Sequence, residues 1–292
     1  MGKDPLVSII TPSYNQGHFI LDTILSVKNQ DYLNIEHIVI DGCSTDNTIN
    51  ILEKYENEYR LHWVSEKDDG QSDAINKGLN LAKGEIIGWL NADDTYMQET
   101  VSLITKFFLK YQDYAWVCGE GYWINENNRI LSEKIGGPAF YKELIRRGMY
   151  LTQPAIFFRK KVIEKIGVLD TNLHTTMDYD FFLRMGKEFE AGYIPEILAT
   201  RRIHSETKTS KMSTRFCRDA LTALDKVFLD PSVPEKIEVL KNQAYSRRYL
   251  ICGYQAFQNC EYYKARKMLW KSIKINFEPL SLDTYKMIVL IL

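Results

Sequence analysis

The residues Asn91-Ala92-Asp93-Asp94 close the apolar run Ile86-Ile87-Gly88-Trp89-Leu90. A buried strand that stops on adjacent carboxylates sets them at a sheet's carboxyl edge, where open α/β sheets bind ligands. Like charges side by side repel unless a cation neutralises them. Hard oxygen ligands of this kind suit Mg²⁺ or Mn²⁺, which commonly hold a diphosphate. The competing reading is a helix start, with an aspartate capping a helix that begins near Tyr96.

Three further stretches carry polar groups at places where chemistry is done. Thr11-Pro12-Ser13-Tyr14-Asn15 ends the first apolar run, and a proline among polar residues there makes a rigid loop able to meet a nucleotide. Asp41-Gly42-Cys43-Ser44-Thr45-Asp46 ends the second. An acidic strand tip accepts hydrogen bonds from a pyrimidine N3–H or a ribose hydroxyl, and Gly42 lets the backbone come close to a ligand. Ser44 or Thr45 also reads as a helix cap. Asp69, Asp73 and Asn76 lie three or four residues apart and project together from a helix.

The elements that must position these groups alternate. Leu6–Thr11, Ile35–Ile40, Leu61–Ser65 and Glu85–Leu90 read as strands, with helices over Ser44–Tyr59 and Gln71–Ala82. That alternation is the pattern of a parallel sheet covered by helices. A helix over Met97–Tyr111 follows, then a hairpin of Ala115–Ile124 and Ile130–Ile135 turned at residues 125–128. A helix passes through Leu144, Gln153–Arg159 reads as a strand, Tyr179–Lys187 as a helix, and the chain then extends to Ile203. From about Thr207 the sequence is nearly continuous helix, and Tyr254–Ile275 resembles one tetratricopeptide-type hairpin. Residues 1–205 are therefore expected to form an α/β domain and residues 206–292 an all-α extension.

With 292 residues, 45% hydrophobic and 26% charged, the chain can bury a full core. Met1-Gly2-Lys3-Asp4 leads straight into a strand, so no signal peptide is expected. No apolar run reaches the roughly 20 residues a membrane span needs. The closing Met287–Leu292 is too short for one and reads as a truncated element or a docking end. Five cysteines without metal spacing are expected to be reduced thiols in a cytoplasm. Charge is uneven: residues 1–204 carry 22 Lys and Arg against 29 Asp and Glu, a net −7, and residues 205–292 carry 15 against 9, a net +6. The basic end has the character of a surface for an anionic membrane, or of solvated helix faces.

Four pieces in order carry a family resemblance: Val7-Ser8-Ile9-Ile10-Thr11-Pro12-Ser13-Tyr14-Asn15, Ile38-Val39-Ile40-Asp41-Gly42-Cys43-Ser44-Thr45-Asp46, Asp73-Ala74-Ile75-Asn76-Lys77-Gly78 and Trp89-Leu90-Asn91-Ala92-Asp93-Asp94. Over roughly residues 5–205 the chain resembles the family 2 inverting glycosyltransferases of GT-A fold, in their bacterial branch that builds O-antigen, capsule and other surface polysaccharides. The resemblance implies a Rossmann-like mixed sheet flanked by helices. It also implies a nucleoside diphosphate sugar as donor, a UDP-sugar foremost, with Mn²⁺ or Mg²⁺ as cofactor and a glycan or lipid-linked acceptor.

By position, the resemblance puts Thr11, Pro12, Tyr14 and Asp41 at the nucleoside and Asp73 and Asn76 at the ribose or donor sugar. Asp94 would ligate the metal, with Asp93 on sugar or metal. Asn91 stands where an aspartate is common, keeping an oxygen ligand but losing a charge. Thr176-Met177-Asp178-Tyr179-Asp180 looks like the acceptor-side motif, with Met177 in place of a glutamate and Asp178 as the general base. Asp180 reads instead as a helix-capping or dipole residue. In Arg201-Arg202-Ile203-His204-Ser205, the resemblance makes Arg202 a phosphate partner and His204 a further metal ligand. No Gln-x-x-Arg-Trp follows Asp178, so one sugar per encounter is expected. Two alternatives remain open on the residues alone: a metal-dependent nucleotidyltransferase, and a degenerate nucleotide-binding head on a helical scaffold.

Overall fold

The structure, a computed structural model, describes residues 4–204 and 213–276. They fall into two compact units. The first comprises Met1–Phe140, Tyr150–Thr171 and Arg184–His204, and the second Tyr141–Met149, Asn172–Leu183 and Ser205–Leu292. This differs from a single cut at residue 205, because two earlier segments are grouped with the C-terminal helices.

In the first unit, β1 (Val7–Ser13) and β2 (Ile35–Asp41) are buried at every position. Strands covered on both faces read as continuous apolar runs, which is why these two were legible. Strands β3 (Leu61–Ser65) and β4 (Ile86–Trp89) extend the parallel set. The remaining strands are β5 (Thr95–Tyr96), β6 (Trp116–Ile124), β7 (Ile135–Gly136), β8 (Ile156–Arg159) and β9 (Ala191–Arg202). They form one mixed sheet in the order β3-β2-β1-β4-β8-β6-β9-β5, with β7 paired to β6. The parallel part is β3-β2-β1-β4, and β8 runs antiparallel to β4.

Helices α1 (Ile20–Lys28), α2 (Thr48–Tyr55), α3 (Gln71–Leu81), α4 (Thr100–Lys110) and α6 (Lys161–Ile166) also belong to this unit. One core cluster joins Val7, Ile9 and Ile86 of the sheet to Val101, Ile104 and Phe108 of α4. A second joins Val39 and Leu61 to Ile20, Ile24 and Leu52 of α1 and α2.

Several boundaries moved for identifiable reasons. The helix expected from Ser44 begins at Thr48, because Ser44 spends its N–H and hydroxyl on Asp41. Asp46 takes over at the helix start, accepting the Thr48 N–H at 3.0 Å. The helix expected from Met97 begins at Thr100, since Thr95–Tyr96 pair with β9 and Met97 N donates to Leu198 O at 2.9 Å. Asp93 and Asp94 are therefore not its caps. The second hairpin strand shrinks to the bridge Ile124↔Ile130 and the short β7. Gln153–Ala155 is a 3-10 turn before β8, with Pro154 in its first turn.

The second unit is helical: α5 (Tyr141–Arg147), the first part of α7 (Met177–Glu188), α8 (Ser213–Phe228), α9 (Glu235–Glu238), α10 (Lys241–Gln258) and α11 (Tyr262–Ile275). Leu250, Ala256, Ala265 and Leu269 make the core of the α10–α11 hairpin. Its first helix begins well before Tyr254. Cys217 of α8 and Cys252 of α10 form a disulfide with Cα atoms 5.5 Å apart, while Cys43, Cys118 and Cys260 are free. The expectation of reduced thiols throughout is corrected here, because helix packing brings together two cysteines 35 residues apart. No described helix is long and apolar enough to cross a membrane. Met287–Leu292 lies outside the described residues, as does Ser205.

Candidate active site

Sheet register assembles the site. Ser13 pairs with Asp41 and Asp41 with Ser65, so the tips of β1, β2 and β3 form one row at the carboxyl edge. β4 joins through Ile10↔Trp89, which sets Asn91 two residues beyond the strand on the same edge.

At the β1–β2 end, Asp41 is fully buried and accepts from Ser44 N and Ser65 Oγ at 2.8 Å each and from Ser44 Oγ. Asn15, at φ 51°, donates its N–H to Ser44 Oγ and accepts Thr45 N through Oδ1. Gly17 N donates to Asp46 Oδ2 at 2.8 Å, which ties the 14–17 loop to the 41–46 loop. Burial alone would raise the Asp46 carboxyl, but hydrogen bonds from Thr48 and Gly17 outweigh it and hold it below the usual carboxylate range. A Cβ on Gly42 would meet Asp68 Oδ2 at 2.7 Å and Tyr14 Cδ2 at 3.4 Å. Glycine there makes room for Asp68 and for the Tyr14 ring, which is 60% exposed. Pro12 is buried, and Thr11 turns its hydroxyl inward to His37 Nε2 at 2.9 Å. Thr11 therefore shapes the strand beneath the loop. Ser13, not singled out from the sequence, has a buried hydroxyl with no hydrogen-bond partner among the described residues. Its register opposite Asp41 was the available signal.

At the β4 end a polar cluster surrounds Asn91. Its Oδ1 accepts from Gln71 Nε2 at 2.8 Å and Trp89 Nε1 at 2.9 Å. Its Nδ2 donates to Asp94 Oδ2 and to Gln153 Oε1, each at 3.0 Å. With both functions of the amide engaged, Asn91 orients Asp94 rather than offering an oxygen to a metal. Gln71 and Gln153 escaped the sequence reading because glutamine carries no positional signal of its own. Asp94 is 2% exposed, and its Oδ1 accepts Arg202 N at 2.9 Å. Burial first, and then the charge of Asp93, push its carboxyl up to about 7. Asp93 is more open, and its Oδ2 lies 3.0 Å from His204 Nε2. His204 packs on the Phe19 ring, with centroids 4.7 Å apart.

Carboxylate oxygens and an imidazole nitrogen are donor types that suit a divalent cation. Asp93 and Asp94 supply carboxylate oxygens and His204 an imidazole nitrogen. Neighbouring ligands of an octahedral ion at about 2.1 Å stand about 3.0 Å apart, the spacing of Asp93 Oδ2 and His204 Nε2. Among the described residues no group of three or more His, Cys, Asp or Glu side chains is arranged to hold a metal ion. Mg²⁺-type sites are commonly completed by substrate phosphates.

Three further expected residues make contacts within the protein. Arg202 is 1% exposed, and its guanidinium donates to Asp93 O, Asn125 O, Glu126 O, Asn128 Oδ1 and Asp22 Oδ2 over the Phe19 ring. The guanidinium expected at a phosphate is thus engaged on five acceptors of the protein. Asn76 binds both backbone groups of Leu169 at 2.9 Å and so anchors that loop. Asp73 accepts Asp69 N at 3.2 Å and pairs with Lys77 at 3.3 Å.

The second unit holds Asp178 in the first turn of α7, half-buried, with Oδ1 accepting Tyr179 N at 2.8 Å. Asp180 lies in the first turn of α7, where a dipole residue was expected, and is buried and paired with Lys226 at 2.9 Å.

A GT-A-type sheet with an acidic cluster at its carboxyl edge defines a class, and comparison with known proteins names it. The family described as Glycosyl transferase family 2 matches residues 8–167. The chain belongs to this family, and it is a glycosyltransferase. It is 29% identical over 215 residues to the hyaluronan synthase of Pasteurella multocida, covering 72% of this chain and 22% of that protein. It is 40% identical over 108 residues to the putative teichuronic acid biosynthesis glycosyltransferase TuaG of Bacillus subtilis, covering 36% and 43%. The chain thus spans about a fifth of the synthase it matches. Among solved structures, S. aureus TarS 1-349 in complex with UDP-GlcNAc superposes with a TM-score of 0.72 at 19% identity, covering 92% of this chain and 81% of that one. The mannosyltransferase PcManGT from Pyrobaculum calidifontis, in complex with GDP-Man and Mn²⁺, gives 0.66 at 17%, covering 98% and 79%. These likenesses establish the GT-A fold. Membership in this family disfavours the nucleotidyltransferase reading.

Proposed function

We propose that the enzyme transfers one sugar, with inversion, from a UDP-sugar to a glycan or lipid-linked acceptor in bacterial surface-polysaccharide synthesis. The observation that carries this reading is the buried Asp94 carboxylate, oriented by Asn91 and Arg202 N and set beside Asp93 and His204. The hyaluronan synthase and TuaG likenesses support a polysaccharide product, and the TarS complex supports a UDP-sugar.

In this reading Tyr14, Pro12 and the Asp41–Asp46 loop hold the nucleoside. Asp93, Asp94 and His204 would hold Mn²⁺ or Mg²⁺, which when bound neutralises charge on the departing diphosphate. Asp178 takes the proton of the acceptor hydroxyl as that oxygen attacks the anomeric carbon. The bond from that carbon to the diphosphate oxygen breaks, and the nucleoside diphosphate leaves with the electron pair. Attack opposite the leaving group inverts the centre. The enzyme would work at the cytoplasmic membrane face, where α11 exposes Tyr263, Arg266, Lys267, Trp270, Lys271 and Lys274. A basic face with aromatic residues suits an anionic lipid surface. Failure to sediment with anionic vesicles at low salt would remove that part of the proposal.

Thermal stability against UDP, GDP and their sugars, with and without Mn²⁺, tests the donor site. A ligand at about 100 times its Kd adds about 2.7 kcal/mol. The expected result is stabilisation by uridine nucleotides that needs Mn²⁺ and is lost in Asp94→Ala. A metal-independent shift, or one surviving Asp94→Ala, would refute the site.

A further inference from the structure

Helix α8 reaches the residues on both sides of Asp178. Asp219 is 3% exposed, and its Oδ2 accepts His174 N at 2.9 Å, Thr175 N at 3.0 Å and Thr175 Oγ1 at 2.9 Å. A carboxylate is buried at a cost unless hydrogen bonds compensate it, and three donors on one oxygen do so. Lys226 follows seven residues later, about two helical turns, and therefore projects from the same face. Its Nζ pairs with Asp180 Oδ1 at 2.9 Å.

Helix α10 adds a third hold. Arg248 is 4% exposed and stacks over the Tyr179 ring at 4.8 Å. Gly148, at φ +84° just past α5, leaves the space: a Cβ there would lie 1.5 Å from Arg248 Nη2. The Tyr179 hydroxyl donates to Leu144 O at 3.0 Å. Residues 174, 175, 179 and 180 are thus held by groups from the C-terminal helices, with Asp178 among them. All of these contacts lie within the second unit.

We propose that Asp219 is a positioning residue for Asp178, so that the C-terminal helices belong to the acceptor-side catalytic apparatus. The proposal rests on the reading of Asp178 as the base. Asp219 acts by fixing the backbone that leads into α7, and hence where the Asp178 carboxylate stands when it accepts a proton. Displacing a catalytic group by about 1 Å can cost about 100-fold in rate.

The test uses the full chain with Mn²⁺ and UDP-glucose, UDP-N-acetylglucosamine or GDP-mannose, following nucleoside diphosphate release as water stands in for the acceptor hydroxyl. Asp219→Ala should lower kcat about 100-fold with donor KM unchanged within about twofold. Asp219→Asn, which keeps an acceptor oxygen in place, should recover most of the rate. The double variant Asp178→Asn/Asp219→Ala should be no slower than Asp178→Asn alone, since residues acting as a unit are non-additive. Multiplying effects, or a parallel fall in donor affinity, would make Asp219 merely structural and overturn the proposal. If Asp178→Asn turns over like wild type, the base reading fails and the proposal with it. If Asp178→Asn is inactive while Asp219→Ala matches wild type, only the proposal fails. Hydrogen exchange gives a readout that needs no turnover: Asp219→Ala should speed exchange across residues 172–180 and leave β1 and β2 unchanged. Unaltered exchange there overturns the proposal even if none of these donors is used.

Discussion

The amide of Asn91 donates to the Asp94 carboxylate at 3.0 Å while its oxygen accepts from Trp89 and Gln71. Asn91 is therefore a hydrogen-bond donor aimed at the carboxylate proposed to hold the metal. Asn91→Asp would turn that donor into an acceptor facing two others, Asp94 Oδ2 and Gln153 Oε1. Unpaired buried acceptors cost about 1–3 kcal/mol, so Tm should fall by several degrees and Mn²⁺-dependent nucleotide stabilisation should weaken. A variant with unchanged Tm and tighter nucleotide binding would show instead that the position is an open ligand site.

Arg202 makes a similar distinction measurable. Its planar fork meets acceptors on Asp22, Asp93 and the 125–128 turn, a set that a lysine ammonium cannot span. The Asp22 side chain is 40% exposed, so the cost falls on the acceptors that a lysine leaves unpaired, about 1–3 kcal/mol for a buried one. Arg202→Lys should therefore lower Tm strongly, with nucleotide affinity falling less than about threefold where the variant is still folded. A phosphate contact gives the reverse pattern, a small Tm change with a large loss of affinity.

These two residues mark how far the sequence could be read. Short apolar runs placed β1 to β4, and the Asn-Ala-Asp-Asp motif placed the cluster at their carboxyl edge. Helix α1 was also written in the chain, as Ile20, Ile24 and Val27 at helical spacing. What was not legible is non-local. Arg202 finds Asp22 across 180 positions, and no local pattern separates such an arginine from one aimed at phosphate. The short β5 and β7 exist only because β9 and β6 offer them partners. The clasp on residues 172–183 depends on helix registers fixed by tertiary packing.

The disulfide is likewise non-local, and its consequence is a stability difference. Cys217 and Cys252 close a loop of 35 residues, for which chain-entropy arithmetic gives roughly 4 kcal/mol. Denaturing alkylation without reductant should modify three of the five cysteines, and all five after reduction. Reduction should lower the Tm of the helical unit and leave Mn²⁺-dependent nucleotide stabilisation in place. Five reactive thiols in the unreduced protein would refute the bridge.

His37 sets the response to acid. It is fully buried in β2, with Nε2 2.9 Å from Thr11 Oγ1 and Nδ1 2.7 Å from the Tyr59 hydroxyl. Burial pushes its pKa from 6.5 down to about 3. The folded chain keeps the ring neutral, whereas the unfolded chain protonates it below about 6.5, so the unfolded state binds more protons between those values. Stability due to His37 is complete above pH 6.5 and falls by up to about 1.4 kcal/mol per unit below it, or about 2 kcal/mol at pH 5. Asp94 has the opposite sign, because a carboxyl raised to about 7 takes up a proton in the folded state first and gains stability as pH falls. Only the difference between wild type and His37→Gln isolates the histidine. That variant stays neutral, so its Tm should decline less between pH 7 and 5. Parallel Tm curves over that range would mean that the unfolded chain gains no proton at this position relative to the folded one.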